Sequence, residues 1–344
     1  MTARDTPSLA LTMGEPAGIA GELALKAWLG RADAIPPFFM IADPETLRAH
    51  AERMRLAAPV AAIADPERAA AVFPEALPVL PQPLAAAAVP GRLEPSNAPA
   101  VIESIRRAVG LVQTGRALAV VTSPVHKRHL YQAGFDYPGQ TEFLAELAGT
   151  DAPAVMMLAC HALKVVPVTV HLSMREAIES LTTERIVTRG RVAATALAQD
   201  FGIAAPRLAV AGLNPHAGED GVLGREEAEI IEPAVAALRA LGHQVSGPAP
   251  ADSLFHARAR ETYDAVLCMY HDQALIPLKT IDFWGGVNIT LGLPFVRTSP
   301  DHGTALGIAG DGVADVTSLC AALRMAAEVA WRRRANPPRR RSHG

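Results

Sequence analysis

The sequence predicts an α/β fold, and three observations carry the prediction. Short apolar runs alternate along the chain with longer stretches of helical periodicity. The runs are almost free of polar residues, the pattern of parallel strands covered on both faces. Half of the 344 residues are hydrophobic, enough for a large buried core. At roughly 100–200 residues per domain, the length fits two domains or one elaborate one.

The strand candidates in order are Leu9–Met13, Phe38–Ile41, Ala117–Thr122, Ala154–Ala159, Val165–Val170, Leu208–Ala211 and Ala265–Met269. Between them, Ser96 or Asn97 is expected to cap a helix through Val101, Ile102, Ile105, Val109 and Val112 that ends near Gly115. Helical spacing recurs over Ile186–Ala198, over Glu226–Leu241 with a stop at Gly242, and over Asp315–Trp331. Residues 57–95 are rich in Ala and Pro with weak periodicity and read as an irregular surface excursion. The arginine-rich end, Arg332 to Gly344, reads as a solvated, disordered tail.

Composition removes several functional classes. A net charge of −3 with 19% charged residues gives no broad field for nucleic acid or an anionic membrane. Aromatic residues, at 5%, do not interleave with basic ones as a base-stacking surface requires. No apolar stretch reaches the ~18 residues needed to span a bilayer. Met1–Ser8 is short and polar, without a signal-peptide pattern. Cys160, Cys268 and Cys320 form no C-x-x-C pair and sit among apolar neighbours, so buried reduced thiols in a cytoplasmic protein are expected.

The unusual chemistry collects where apolar runs end. Val165–Val170 ends in His171, Leu208–Gly212 leads to His216, and Ala265–Tyr270 ends in His271. Ligands of open α/β sheets gather at the carboxyl ends of strands. Three imidazoles there could hold a divalent metal with a position left for substrate, although each alone fits a structural role equally well. Asp272 could orient an imidazole or cap the next turn. Asp252 could handle protons or simply open a helix.

Lys279, followed by Gly286–Ser299 with Asn288 and Arg297, suits a phosphate or carboxylate. Asp301-His302-Gly303-Thr304 and the later Gly310 place glycines where backbone amides can approach a nucleotide. Met13–Gly21 lacks the G-x-G-x-x-G spacing, so a standard Rossmann site is not expected.

Together these segments resemble the 4-hydroxythreonine-4-phosphate dehydrogenase family of pyridoxal phosphate biosynthesis, from Leu9 to about Ala326. The anchors are Thr12–Gly18, Ser123–Lys127, Gly139–Phe143, Leu213–Glu219, Met269–Gln273, Gly286–Ser299 and Asp301–Ala305. The resemblance implies a fold like that of isocitrate and isopropylmalate dehydrogenases. In it, two α/β domains flank a cleft, residues 1–125 with 300–344 and residues 126–299, the second carrying metal and dimer contacts. It implies metal ligands His171, His216 and His271, and substrate contacts Gln140, Thr141, Lys279, Asn288 and Arg297. Asp301, His302, Gly303, Thr304 and Gly310 would take NAD or NADP. The metal would be zinc, magnesium or cobalt, in a homodimer with shared active sites.

The implied reaction oxidises 4-phosphooxy-L-threonine to a 3-oxo acid, which decarboxylates to 3-amino-2-oxopropyl phosphate. The general base is unassigned, with Asp252 and Asp272 as candidates. Many members carry histidine where this chain has Gln140, which cannot exchange a proton near neutral pH. Alternatives are a 4-phospho-D-threonate or D-erythronate dehydrogenase and, in another class, a metal-dependent hydrolase.

Overall fold

The computed structural model describes residues 7–137, 139–150 and 152–335. It divides into two compact units. One is the described part of Met1–Asp151 together with Leu293–Ala330, the other Ala152–Gly292 with the described part of Trp331–Gly344. The expected divisions at 125 and 299 thus differ from those of the structure, which keeps residues 126–150 and 293–299 in unit 1. There Phe143 and Leu144 of the helix Gln140–Ala148 are buried, and Gln113 donates to the Leu147 carbonyl (3.0 Å).

Described strands are, in chain order, β1 (Leu9–Thr12), β2 (Phe38–Ala42), β3 (Val60–Ala62), β4 (Leu77–Pro81), β5 (Val120–Val121) and β6 (Val155–Cys160). They continue with β7 (Leu163–Pro167), β8 (Arg207–Ala211), β9 (Gln244–Ala249), β10 (Ala265–Cys268), β11 (Val287–Leu291) and β12 (Arg297–Pro300). All seven expected strands are present.

Unit 1 has the order β3-β4-β2-β1-β5-β12, with parallel pairing throughout. Successive residues Phe38, Phe39, Met40 and Ile41 are all buried, as a strand covered on both faces requires. Each large apolar side chain removed from water there contributes about 1.5–3 kcal/mol. Residues 57–95 are not irregular: they supply β3, β4 and a helical turn, Ala69–Val72. Leu77 and Val79 are wholly buried. Pro78 inside β4 and Pro81 at its end hide its pattern, because strand prolines normally signal an edge, whereas β4 pairs on both sides.

Unit 2 has the order β11-β6-β7-β10-β8-β9. β7, β10, β8 and β9 run parallel, but β6 is antiparallel to both neighbours. The expectation of parallel strands fails at β6 for a geometric reason. Only His161 and Ala162 link it to β7, too short for the crossover that a parallel pair needs.

The helix Ala98–Gln113 starts where expected, yet no side chain caps it. Asn97 instead bonds both backbone groups of Ala86 (3.0 Å each). The expected helix 226–241 begins as a π-turn, Glu227–Ile231, before Glu232–Ala240, and ends at Gly242 with φ +88°. Arg332–Arg334 are not a loose tail. They finish the helix Thr317–Ala335, where Arg333 grips the buried Asp200 carboxylate at 2.6 and 2.8 Å and Arg332 donates to the Phe201 carbonyl. Arg339–Arg341 lie outside the described residues. The three cysteines are buried free thiols, as expected. Among the described residues no helix is long and apolar enough to cross a membrane.

Candidate active site

In unit 2 the carboxyl ends of β7, β10 and β8 lie side by side, and each leads to one of the expected histidines. Amides of Val168 and Thr169 donate to the Cys268 and Met269 carbonyls (2.7 and 3.3 Å), extending the pairing beyond β7. His171 follows, exposed and with φ +53°. His271 opens the helix His271–Ile281. The two rings have centroids 6.0 Å apart. His271 Nδ1 lies 2.7 Å from Asp272 Oδ1. With the carboxylate accepting, Nε2 is left as the lone-pair nitrogen, the arrangement common behind metal-bound imidazoles.

His216 stands on the loop after β8, whose backbone is left-handed over five residues. His216, Ala217, Gly218, Glu219 and Asp220 have φ of 53, 53, 81, 43 and 55°. Each non-glycine residue there costs about 1–2 kcal/mol, so neighbouring structure must hold the loop. The buried Glu227 does so. Its Oε1 accepts from the Leu213 and Asn214 amides (2.7 and 2.8 Å), and its Oε2 from Asn214 Nδ2 (2.8 Å). A Cβ on Gly218 would meet Glu227 Oε2 at 2.7 Å, so glycine is required.

Among the described residues no three His, Cys, Asp or Glu side chains form a ready metal cluster. The donor set nonetheless suits a divalent ion. Imidazoles sharing a tetrahedral ion have centroids about 5 Å apart, close to the spacing of His171 and His271.

The remaining unit 2 residues are spread over three elements. Asp252 is exposed in the turn Ala251–Ser253, where its carboxylate makes no capping bond. Lys279 lies near the end of the helix His271–Ile281, with Nζ 5.1 Å from the centre of the Phe283 ring. Asn288 sits in β11 opposite Leu158, and its Oδ1 is buried with no hydrogen-bond partner among the described residues.

Unit 1 brings Arg297 and Gln140 to adjacent residues beyond β5, Thr122 and Ser123. Gln140 Nε2 donates to the Ser123 carbonyl (3.3 Å), and its Oε1 is buried without a partner among the described residues. Thr141 follows, half-buried, in the first turn of that helix. Arg297 is buried on β12 and donates through Nε and Nη2 to Thr122 Oγ1 (3.0 and 2.7 Å). Burial pushes its guanidinium down to about 10, with the Glu142 carboxylate opposing, so it stays charged at neutral pH. Unmet buried acceptors cost about 1–3 kcal/mol each, which sets Gln140 Oε1 and Asn288 Oδ1 apart among the candidate contacts.

Asp301–Gly312 packs on the loop after β1. The Thr304 carbonyl accepts from the Ile19 amide (3.1 Å), and a Cβ on Gly18 would lie 2.7 Å from it. The Asp301 amide donates to Ser318 Oγ (3.0 Å), and His302 Nδ1 is 2.9 Å from the Gly303 carbonyl. Gly303 is exposed. Gly310 has φ +81°, and its carbonyl accepts from Arg53 Nε (3.3 Å).

The sequence model described as "Pyridoxal phosphate biosynthetic protein PdxA" matches residues 34–326. The chain belongs to the PdxA family. A relative in Caulobacter vibrioides, named 4-hydroxythreonine-4-phosphate dehydrogenase, is 55% identical over 331 residues, covering 94% of this chain and 98% of that protein. A relative of the same name in Methylorubrum populi is 53% identical, with 96% of each chain covered. The crystal structure of 4-hydroxythreonine-4-phosphate dehydrogenase from Klebsiella pneumoniae superposes with a TM-score of 0.84 at 40% identity, over 94% of this chain and all of that one. The fold class and family expected from the motifs are therefore borne out. As a member of the PdxA family the chain is an oxidoreductase, and the hydrolase alternative falls.

Sequence reasoning missed Glu227 and Thr122. For Glu227 a signal was present: it shares a helical stripe with Ile231, Val235 and Leu238, where a charge is out of place. Thr122 ends an apolar run and carried no such mark.

Proposed function

We propose that this chain oxidises 4-phosphooxy-L-threonine at its 3-hydroxyl with NAD or NADP, as a cytoplasmic homodimer in pyridoxine 5'-phosphate biosynthesis. The product 3-oxo acid would lose carbon dioxide to give 3-amino-2-oxopropyl phosphate. The observation that carries the reading is the row of imidazoles at three adjacent strand ends, with His271 anchored by Asp272.

His171, His216 and His271 would hold the divalent ion, zinc, magnesium or cobalt, which lowers the pKa of a bound hydroxyl and polarises the carbonyl formed from it. Lys279 in unit 2, and Arg297 and Thr141 in unit 1, are the candidate contacts for phosphate and carboxylate. The orphan oxygens Gln140 Oε1 and Asn288 Oδ1 suit the ammonium or hydroxyl donors of such a substrate. Gln140 thus binds rather than shuttles a proton. Asp272 orients His271, and Asp252 is the other candidate for handling the released proton. Asp301–Thr304 and Gly310 would receive the dinucleotide, whose nicotinamide takes the hydride. Exposed Met174, Val222, Ile276, Phe283 and Trp284, all in unit 2, suit coverage by a second copy.

The test is formation of reduced cofactor by purified chain, divalent metal and 4-phosphooxy-L-threonine, with NAD and NADP in parallel. Turnover is expected with at least one. Silence with both, while 4-phospho-D-threonate is oxidised, would overturn the substrate. For the metal, His216→Ala is expected to lose bound divalent ion by elemental analysis, and kcat to fall on the order of 10³-fold. Full metal retention would remove His216 from the ligand set.

A further inference from the structure

Unit 1 also holds a cationic cleft that the reading above leaves unused. It lies at a topological switch point. From β1 the chain steps to β2 and on to β3 and β4, then returns to β5 on the opposite side of β1. The crevice at the carboxyl ends of two such strands is where open α/β sheets take ligands. Here the loops are residues 13–18 and 122–126, and they are firmly joined. The Glu15 amide donates to the Pro124 carbonyl (2.9 Å), the Ser123 amide to Thr12 Oγ1 (3.0 Å), and Ser123 Oγ to the Thr12 carbonyl (2.9 Å). Gly14, at φ +67°, permits this approach: a Cβ there would stand 2.6 Å from that of Ser123.

The second loop ends in His126-Lys127-Arg128-His129, and these residues line a cleft of about 730 Å³ together with Leu93, Pro95 and Gln132. Ligand pockets typically measure ~300–1,000 Å³. The His126 and His129 rings meet edge to face at 4.9 Å. His126 Nδ1 is buried with no hydrogen-bond partner among the described residues. Lys127 and Arg128 are exposed and make no ion pair among the described residues. Two carboxylates face the histidines: Glu15 Oε2 lies 4.0 Å from His129 Nδ1 and feels the charge of His126, and Glu94 is close enough to feel that of His129. Lys127 and Arg128 remain as a positive wall, with the His126 ring beside them.

We propose that this cleft binds a phosphoryl anion through Lys127, Arg128 and the His126 ring. Two molecules could bring one, the dinucleotide cofactor with its diphosphate and the phosphorylated substrate. The surroundings favour the dinucleotide. Leu93 and Pro95 line the cleft, while Pro90, just before them, packs against Gly310, where a Cβ would meet its side chain at 2.8 Å. Segment 90–95 thus borders both the cleft and the candidate nucleotide stretch. That preference rests on the nucleotide role given to residues 301–310, whereas the anion site itself does not.

The test is calorimetric titration of the full chain in chelator, without metal, using inorganic pyrophosphate, ADP-ribose and, as an uncharged control, adenosine. Wild type is expected to bind pyrophosphate and ADP-ribose. In Lys127→Ala/Arg128→Ala both affinities fall at least about tenfold, as loss of charge-assisted hydrogen bonds predicts, and adenosine binding is unchanged. Lys127→Arg retains binding, which separates charge from misfolding. If pyrophosphate weakens while ADP-ribose does not, the anion belongs to the substrate, and the double variant raises KM for the phosphorylated substrate alone. Pyrophosphate affinity within twofold of wild type in the double variant, or no pyrophosphate binding by wild type, overturns the proposal. Since no turnover or metal is involved, a wrong substrate or metal assignment would leave this result standing.

Discussion

In unit 2 two of the three histidines, His171 and His216, stand on strained backbone; in unit 1 Gln140 and Arg297 stand on a regular helix and strand. His171 and His216 both have φ +53°, and the turn around His216 keeps its shape because a buried carboxylate takes up its amides. Gln140 and Arg297 need no such brace, since helix and strand already aim them at Ser123 and Thr122. The difference separates two ways of making a site. Charge recognition can ride on ordinary elements, whereas drawing imidazoles from separate strand ends demands a loop geometry that local preferences oppose.

The largest effect that could break this comparison is on Arg297. Arg297→Lys keeps the charge and loses the fork that reaches Thr122 Oγ1 twice. We expect kcat/KM to fall about 10–100-fold, roughly 1.5–3 kcal/mol, with bound metal unchanged. Loss of metal as well would show that the two groups of residues are not held independently.

Glu227→Gln sharpens the other side. The turn would lose a charged acceptor, at a cost of about 1–3 kcal/mol and a few degrees in Tm. Hydrogen exchange should speed at residues 213–221 and stay the same at 120–124. Equal exchange across both segments would mean that the left-handed turn holds itself.

The smallest effect concerns acid sensitivity in unit 1. Burial holds the His50 imidazole below its ordinary value, with Arg53 adding to this and Glu22 opposing. As pH falls through the ordinary imidazole range near ~6.5, the unfolded chain takes up the proton first, so stability declines. Between pH 7.5 and 5.5, Tm of wild type should fall further than that of His50→Gln. Parallel losses would clear His50 of the effect.

The parts of the fold legible in the sequence were those whose burial is continuous. Phe38–Ile41 and Ala265–Cys268 announce themselves because every side chain is apolar. β4 did not, since its prolines read as breakers until neighbours on both sides are known. β9 carries Gln244, Ser246 and Gly247 and looks like loop, as an edge strand can. The three histidines were visible by their positions at run ends, and Asp272 by adjacency. Glu227 was not assigned to them, because its role depends on a turn whose φ angles no composition reveals. The cationic run His126–His129 is plain in the sequence, but its meaning lies in which side of β1 the chain returns to.

The buried cysteines give the molecule a built-in chemical stopwatch. Cys160 and Cys268 lie in one core, that of unit 2, and Cys320 in unit 1. Burial raises the thiol pKa of Cys268 and Cys320, which keeps both thiols unreactive while the chain is closed. Alkylation therefore marks only chains that have opened, and the mass increment identifies where. One adduct records a breath of unit 1, two a breath of unit 2, so one spectrum ranks the local stabilities of both.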